Sequence, residues 1–126
     1  MVPINQNNMA QHDDVLEKLI HSKSFLNEVL GIEKVVWGAS ELIYWKQNMV
    51  YCEIDVCLMT GDKYERPYHV IEYKSTDSYR ERALEQLDRA SEFVLIVLGG
   101  QSYKHYLYRE NGKYVHENIG SSPKLK

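Results

Sequence analysis

The spacing of apolar residues along the chain predicts two helices and several strands. From 12 to 30 apolar residues recur with the period of an α-helix, and Gly31 is a typical residue for ending it. A second helix is predicted from the polar capping residues of 75–78 to about Glu92, because Ala83, Leu87 and Ala90 form an apolar stripe. The predicted strands are 42–46, 49–60, 68–75, 93–98, 103–109 and 114–117, with 32–37 as a short strand or its run-in. The first two of these strands are expected to be joined by a turn at Gln47-Asn48.

The order of these elements predicts one α/β domain. A mixed central sheet is flanked by helices in an αβββαβ core, and a C-terminal hairpin with an Asn111-Gly112 turn follows. The continuous apolar run 93–98 favours a strand covered on both sides. At 126 residues the chain fits a single domain, 1–126, with 1–10 and 121–126 expected to be flexible.

Composition narrows the function classes only slightly. The net charge of −3 is not that of a strongly basic nucleic-acid binder, although Lys74, Arg80, Arg82 and Arg89 lie close together in the sequence. Cys52 and Cys57 are expected on opposite strand faces, where they would not form a disulfide. Reduced thiols, the lack of a membrane-spanning run and the lack of a signal peptide together predict a cytoplasmic protein.

Candidate chemistry concentrates on two of the predicted strands. Glu72 and Lys74 are two residues apart, so a strand places both side chains on one face. Asp55 lies in an apolar run, where a charge needs a binding partner, although a solvated strand face is the alternative explanation. Glu53 is either a supporting residue or solvated.

Other polar and aromatic residues carry weaker signals. The five histidines show no spacing typical of metal ligands and are expected to be surface or packing residues. Trp37, Tyr44 and Trp45 are expected to pack in the core or on a sheet face, with base stacking as the minority interpretation.

With these motifs, residues 12 to 98 resemble the PD-(D/E)XK nuclease superfamily, which has the restriction-endonuclease-like fold. The resemblance rests on Asp55 in Glu-Ile-Asp-Val, on Glu72 and Lys74 in Ile-Glu-Tyr-Lys, and on Gln86 in Ala-Leu-Glu-Gln-Leu. It implies that Asp55 and Glu72 bind Mg²⁺ (or Mn²⁺), that Lys74 assists the attacking water, and that Gln86 supports the site. Some members add a helix acid, for which Glu17 is the first candidate and Glu28 the second. The proline that often precedes the aspartate is missing here.

The resemblance implies a metal-dependent deoxyribonuclease that cleaves DNA phosphodiester bonds. Junction, duplex, flap and single-strand substrates all stay open, as does RNA. A possible homodimer is expected, with the tyrosines of the final hairpin as the candidate surface: Tyr103, Tyr106, Tyr108 and Tyr114. The alternatives are a catalytically inactive module of the same fold that binds nucleic acid or a protein, and an unrelated α/β protein.

Overall fold

The chain runs through two helices, three strands, a third helix and two final strands. The computed structural model describes residues 4–61 and 65–121. The elements are α1 (Ile4–His21), α2 (Lys23–Leu30), β1 (Val35–Lys46), β2 (Met49–Thr60), β3 (Tyr68–Lys74), α3 (Arg80–Phe93), β4 (Ser102–Glu110) and β5 (Lys113–Ser121).

The five strands form one mixed sheet in the order β1-β2-β3-β4-β5. Neighbours pair antiparallel except β3 and β4, which run parallel and are connected through α3. The two predicted hairpin turns are confirmed at Gln47-Asn48 and Asn111-Gly112, where all four residues have positive φ. That backbone twist matches the right-handed twist of the paired strands. The predicted α/β class, with one mixed sheet and helices, is confirmed.

Local capping divides the first predicted helix. The Ser22 side chain accepts a hydrogen bond from the Phe25 amide at 3.2 Å, which starts α2 one residue after α1 ends. Gly31, with φ of 69°, ends α2 and donates its amide hydrogen to the Asn27 carbonyl at 2.8 Å, as predicted. Helix α1 already begins at Ile4, within the segment expected to be flexible, and residues 1–3 and 122–126 lie outside the described residues.

The prediction of a strand at 93–98 is wrong. Val94–Leu98 forms a π-helical turn that continues α3 and ends at Gly99. Val94 is buried because it lies four residues after Ala90 and extends the apolar stripe of the helix, whereas Ile96 is 64% exposed. The strand that runs parallel to β3 is β4, which starts at Ser102.

Two apolar layers cover the two faces of the sheet. The layer under α1 and α2 contains Val56 and Leu58, and the layer under α3 contains Cys52, Ile54 and Cys57. The prediction that the two cysteines lie on opposite faces is therefore wrong, because the alternation of β2 loses one step near Asp55. Both thiols are buried and free.

The aromatic residues follow the prediction only in part. Tyr44 packs against the layer under α3, as expected, whereas Trp45 is 60% exposed and Trp37 is 42% exposed, so neither tryptophan is a core residue. Tyr106 and Tyr108 are buried beneath α3, so the four tyrosines of the final hairpin do not form one exposed surface.

Among the described helices, none has the length and apolar character that crossing a membrane requires. The cytoplasmic location stays a prediction.

Candidate functional site

The register between β2 and β3 brings Asp55 next to Glu72. Main-chain pairing runs from Met59↔Tyr68 to Val56↔Ile71, so Asp55 and Glu72 are the two residues that directly follow the last pair. The two carboxyl groups are close enough for the charge of Asp55 to raise the pKa of Glu72. The pairing stops there, and the Asp55 carboxylate instead accepts a hydrogen bond from the Tyr73 amide at 2.9 Å. The side chain of Asp55 thus replaces the main-chain contact at the point where the two strands separate.

Glu72 and Lys74 are neighbours on β3, and both side chains are mostly buried. The Lys74 Nζ lies 3.5 Å from the Glu72 Oε1, and the Glu72 side chain is only 5% exposed. Burial, together with the negative charge of Asp55, raises the pKa of Glu72 to about 9, although Lys74 opposes the shift. Without an additional positive charge, Glu72 therefore holds a proton at neutral pH.

His12 on α1 is a site residue that the sequence analysis missed. Its Nε2 lies 3.2 Å from the Asp55 Oδ2, and its ring centroid lies 5.7 Å from that of Tyr73. The hydrogen bond to Asp55 raises the pKa of His12, whereas partial burial opposes the increase. A signal was present, because His12 precedes Leu16 and Leu19 at spacings of four and three and so continues the buried stripe of α1.

The helix acids expected at the site are not brought to it. Glu17 is largely exposed and pairs with His21 at 3.5 Å on the solvent side of α1. Glu28 is exposed on α2, and Glu53 is exposed on β2. Among the described side chains of α1, it is His12 that forms a hydrogen bond with Asp55.

Gln86 occupies the predicted position on α3 without a described link to the acids. It lies three residues after Ala83 and four before Ala90, on the side of the helix that faces the sheet. Its Oε1 is buried, and no atom of the described residues forms a hydrogen bond with it. A buried acceptor of this kind is available to a ligand or to water.

The nearby arginines differ in whether their side chains are available to contact an anionic ligand. Arg80 pairs with Glu117 and, at 3.7 Å, with Asp77, and Arg89 donates to the Tyr51 carbonyl at 3.4 Å. Arg82 is exposed at the start of α3, beside a surface hollow of about 670 Å³. Arg82 is therefore the better candidate for contact with an anionic ligand.

Within residues 4–61 and 65–121, no three His, Cys, Asp or Glu side chains are grouped so as to hold a metal ion. The acidic pair Asp55 and Glu72 nevertheless has the chemistry of a hard-cation site, since Mg²⁺ is usually held by one or two carboxylates and retains several waters. Lys74 adds a fixed positive charge beside that pair.

Comparison with protein-family models finds no match, and comparison with curated protein sequences finds none either.

Proposed function

We propose that this protein is a metal-dependent nuclease of the PD-(D/E)XK type that hydrolyses DNA phosphodiester bonds. The observation that carries the proposal is the proximity of Asp55 to Glu72: the Asp55 carboxylate binds the amide of the next residue, Tyr73, at 2.9 Å, and the Lys74 ammonium lies 3.5 Å from the Glu72 carboxyl group. The resemblance rests on these three residues and on Gln86, and Asp55 precedes Glu72 by 17 positions in the sequence.

The element order supports the same proposal. Helix α1, strands β1, β2 and β3, helix α3 and strand β4 follow one another in the αβββαβ order that the resemblance implies, once the last strand is moved to Ser102–Glu110. The parallel pairing of β3 and β4 gives α3 the role of the crossover helix.

The donor set fits Mg²⁺ or Mn²⁺. Asp55 and Glu72 would hold the cation, which supplies Lewis acidity to the scissile phosphate and lowers the pKa of a bound water. Glu72 supports this fit. Its pKa of about 9 reflects burial and the repulsion between its carboxylate and that of Asp55. A cation bound between the two carboxyl groups would offset that repulsion and allow Glu72 to ionise.

The remaining residues have separate tasks in this proposal. Lys74 stabilises the negative charge that develops on the phosphate during attack. His12 and the Tyr73 amide both bind the Asp55 Oδ2, so they fix the orientation of that carboxylate. Arg82 is exposed near the start of α3, where it is available to a DNA phosphate.

The test is incubation of the protein with plasmid, single-stranded and four-way-junction DNA, in Mg²⁺, in Mn²⁺ or in EDTA. We expect cleavage of at least one DNA form that requires the metal. Asp55→Asn, Glu72→Gln and Lys74→Ala should each lower the rate by about 100-fold or more, since each removes a group at the reacting centre.

Glu53→Gln is the matched control, because Glu53 is an exposed acid on the same strand as Asp55. It should cleave at the wild-type rate, and circular dichroism should show that every variant is folded. Cleavage that continues in EDTA, or that survives Glu72→Gln, would contradict the proposal.

A catalytically inactive module of the same fold is the second candidate. The exposed apolar side chains at the tip of the β1–β2 hairpin favour it, because such surfaces mark contacts with other molecules. This candidate predicts that none of the three DNA forms is cleaved with either metal ion.

A further inference from the structure

The outer half of the β1–β2 hairpin extends beyond the rest of the sheet. Strand β2 pairs with β3 only from Val56 to Met59, so the part of β2 before Val56 has β1 as its one strand neighbour among the described residues. One face of this extension is covered, because Tyr44 packs on Phe93 of α3 with ring centroids 5.0 Å apart. Leu42 lies in the same layer.

The opposite face of the extension is apolar and exposed to solvent. Because Leu42 and Tyr44 point towards α3, Ile43 and Trp45 point the other way, and they are 54% and 60% exposed. Trp45 lies opposite Val50, and Met49 adjoins them at the turn. We call Ile43, Trp45, Met49 and Val50 the distal patch.

The inner half of β1 borders a hollow on the same side of the sheet. The hollow has a volume of about 240 Å³ and lies between β1 and the first two helices. We call it the proximal hollow; its lining includes Ile20, Lys23, Leu26, Val36, Trp37 and Gly38. A Cβ on Gly38 would lie 2.7 Å from Leu58 and 3.5 Å from Ile20, so this position faces the layer of α1.

The distal patch and the proximal hollow belong to one edge strand. Strand β1 is at the end of the sheet order, and its outer edge has no strand partner among the described residues. Unpaired edges with apolar neighbours are sites for pairing with another chain. Glu41, with φ of 54°, interrupts the alternation of β1, which is why Gly38 and Ile43 face the same side although an odd number of positions separates them.

A second copy of the chain complements this edge. If two β1 strands pair antiparallel about an axis between Ser40 and Glu41, Ile43 of one copy lies opposite Gly38 of the other. Residues opposite each other in such a pair must share a face, and these two do. The Leu58 side chain covers the position of the missing Gly38 side chain, so Ile43 of the other copy packs beside Leu58 in this arrangement. In the same register Trp45 lies opposite Val36, which lines the proximal hollow.

The charges around the two surfaces have opposite signs. Glu53 lies opposite Ile43 on β2 and therefore beside the distal patch, whereas Lys23 lines the proximal hollow. In the paired arrangement each Glu53 approaches the Lys23 side of the other copy. The acidic border of the distal patch also disfavours a phosphate backbone as the occupant.

We propose that β1 is the interface of a symmetric homodimer, in which the distal patch of each copy occupies the proximal hollow of the other. This interface differs from the tyrosine surface expected from the sequence, and it does not depend on the nuclease proposal.

Sedimentation equilibrium of the full chain, from roughly 1 to 100 μM, tests the proposal. The wild type should fit a monomer–dimer equilibrium, and Trp45→Glu and Ile43→Glu should each raise the dimer dissociation constant by at least about tenfold. Ile96→Glu is the matched control, because Ile96 is a similarly exposed apolar residue at the end of α3. It should leave the dissociation constant unchanged.

A charge exchange tests the arrangement without changing an apolar residue. Lys23→Glu and Glu53→Lys should each weaken the dimer, and the double variant should recover most of the loss. A wild type that is monomeric throughout the range would overturn the proposal, as would a dimer that Ile96→Glu dissociates and Trp45→Glu does not. A monomer whose binding to single-stranded DNA falls with Trp45→Glu would overturn it in favour of base stacking.

Discussion

Three histidines form a hydrogen-bonded row across the sheet, and this row predicts a specific response to acid. The His69 Nε2 lies 3.0 Å from the Thr60 hydroxyl, the His69 Nδ1 lies 2.9 Å from the His105 Nε2, and the His105 Nδ1 lies 2.9 Å from the His116 Nε2. A neutral imidazole has one donor and one acceptor, so the row is satisfied when every ring is neutral and donates in the same direction. Protonation of the central ring, His105, sets two N–H groups against each other whichever way the row donates, because both of its nitrogens face another imidazole.

The pKa values follow from this geometry. Burial lowers the pKa of His69 to about 4, and burial together with the neighbouring His69 and His116 lowers the pKa of His105 to about 3. Burial also lowers the pKa of His116, with Glu117 opposing it. Tyr103 stacks on the His69 ring, with the ring centroids 5.4 Å apart.

The direction in which stability changes with pH follows from the difference in proton binding between the folded and the unfolded chain. The folded pKa of His105 lies below the unfolded value, so the unfolded chain binds the additional proton and stability is lost as the pH falls below about 6.5. Between about pH 7.5 and about pH 5, an unfolded imidazole becomes protonated while His105 does not. This difference lowers the free energy of unfolding by about 2 kcal/mol for this one residue.

Urea unfolding of the wild type and of His105→Gln at these two pH values measures the prediction. Glutamine does not titrate, so the loss of stability between the two pH values should be smaller in this variant by about 2 kcal/mol. His21→Gln is the control, because His21 is exposed and pairs only with Glu17 among the described residues. It should show the wild-type loss. Equal pH dependence in the wild type and His105→Gln would refute the reasoning.

Two further predictions concern packing and thiol access. A Cβ at position 100 would lie 2.6 Å from the Tyr68 ring. Gly100→Ala should therefore lower the free energy of unfolding, measured by urea titration, by about 1–3 kcal/mol. An unchanged urea midpoint would contradict this packing. Burial raises the pKa of the Cys57 thiol to about 12 and also raises that of Cys52, so neither should react with Ellman's reagent at neutral pH until denaturant is added. Rapid labelling of the native protein would show that β2 opens locally.

The features predicted correctly from the sequence are those that the local backbone decides. Gly31 ends a helix, and Gln47-Asn48 and Asn111-Gly112 form turns, because only a few residue types tolerate positive φ. The failure at 93–98 has a physical reason as well. A run of apolar residues indicates that the segment is buried, but it does not show whether the segment packs as a strand or as a helix. Val94 lies four residues after Ala90, so the helix continues with Val94 on its buried side.

The candidate site was predictable only where it depends on one strand. The spacing of Glu72 and Lys74 is sufficient to place them on one face of β3. His12 reaches Asp55 across 43 positions of sequence, so its role depends on how α1 packs against the sheet. The apolar stripe of α1 predicts that His12 faces the sheet, but no local sequence pattern predicts that it contacts Asp55.

Asp55 connects the candidate site to the proposed interface. Pairing between β2 and β3 stops at Val56, and Asp55 binds the Tyr73 amide where the next main-chain contact would have formed. On one side of this point the carboxylate lies next to Glu72. On the other side β2 continues with β1 alone and carries Ile43 and Trp45 away from the helices. The separation of these two strands is therefore shared by the acidic pair of the proposed cation site and the exposed apolar hairpin of the proposed interface.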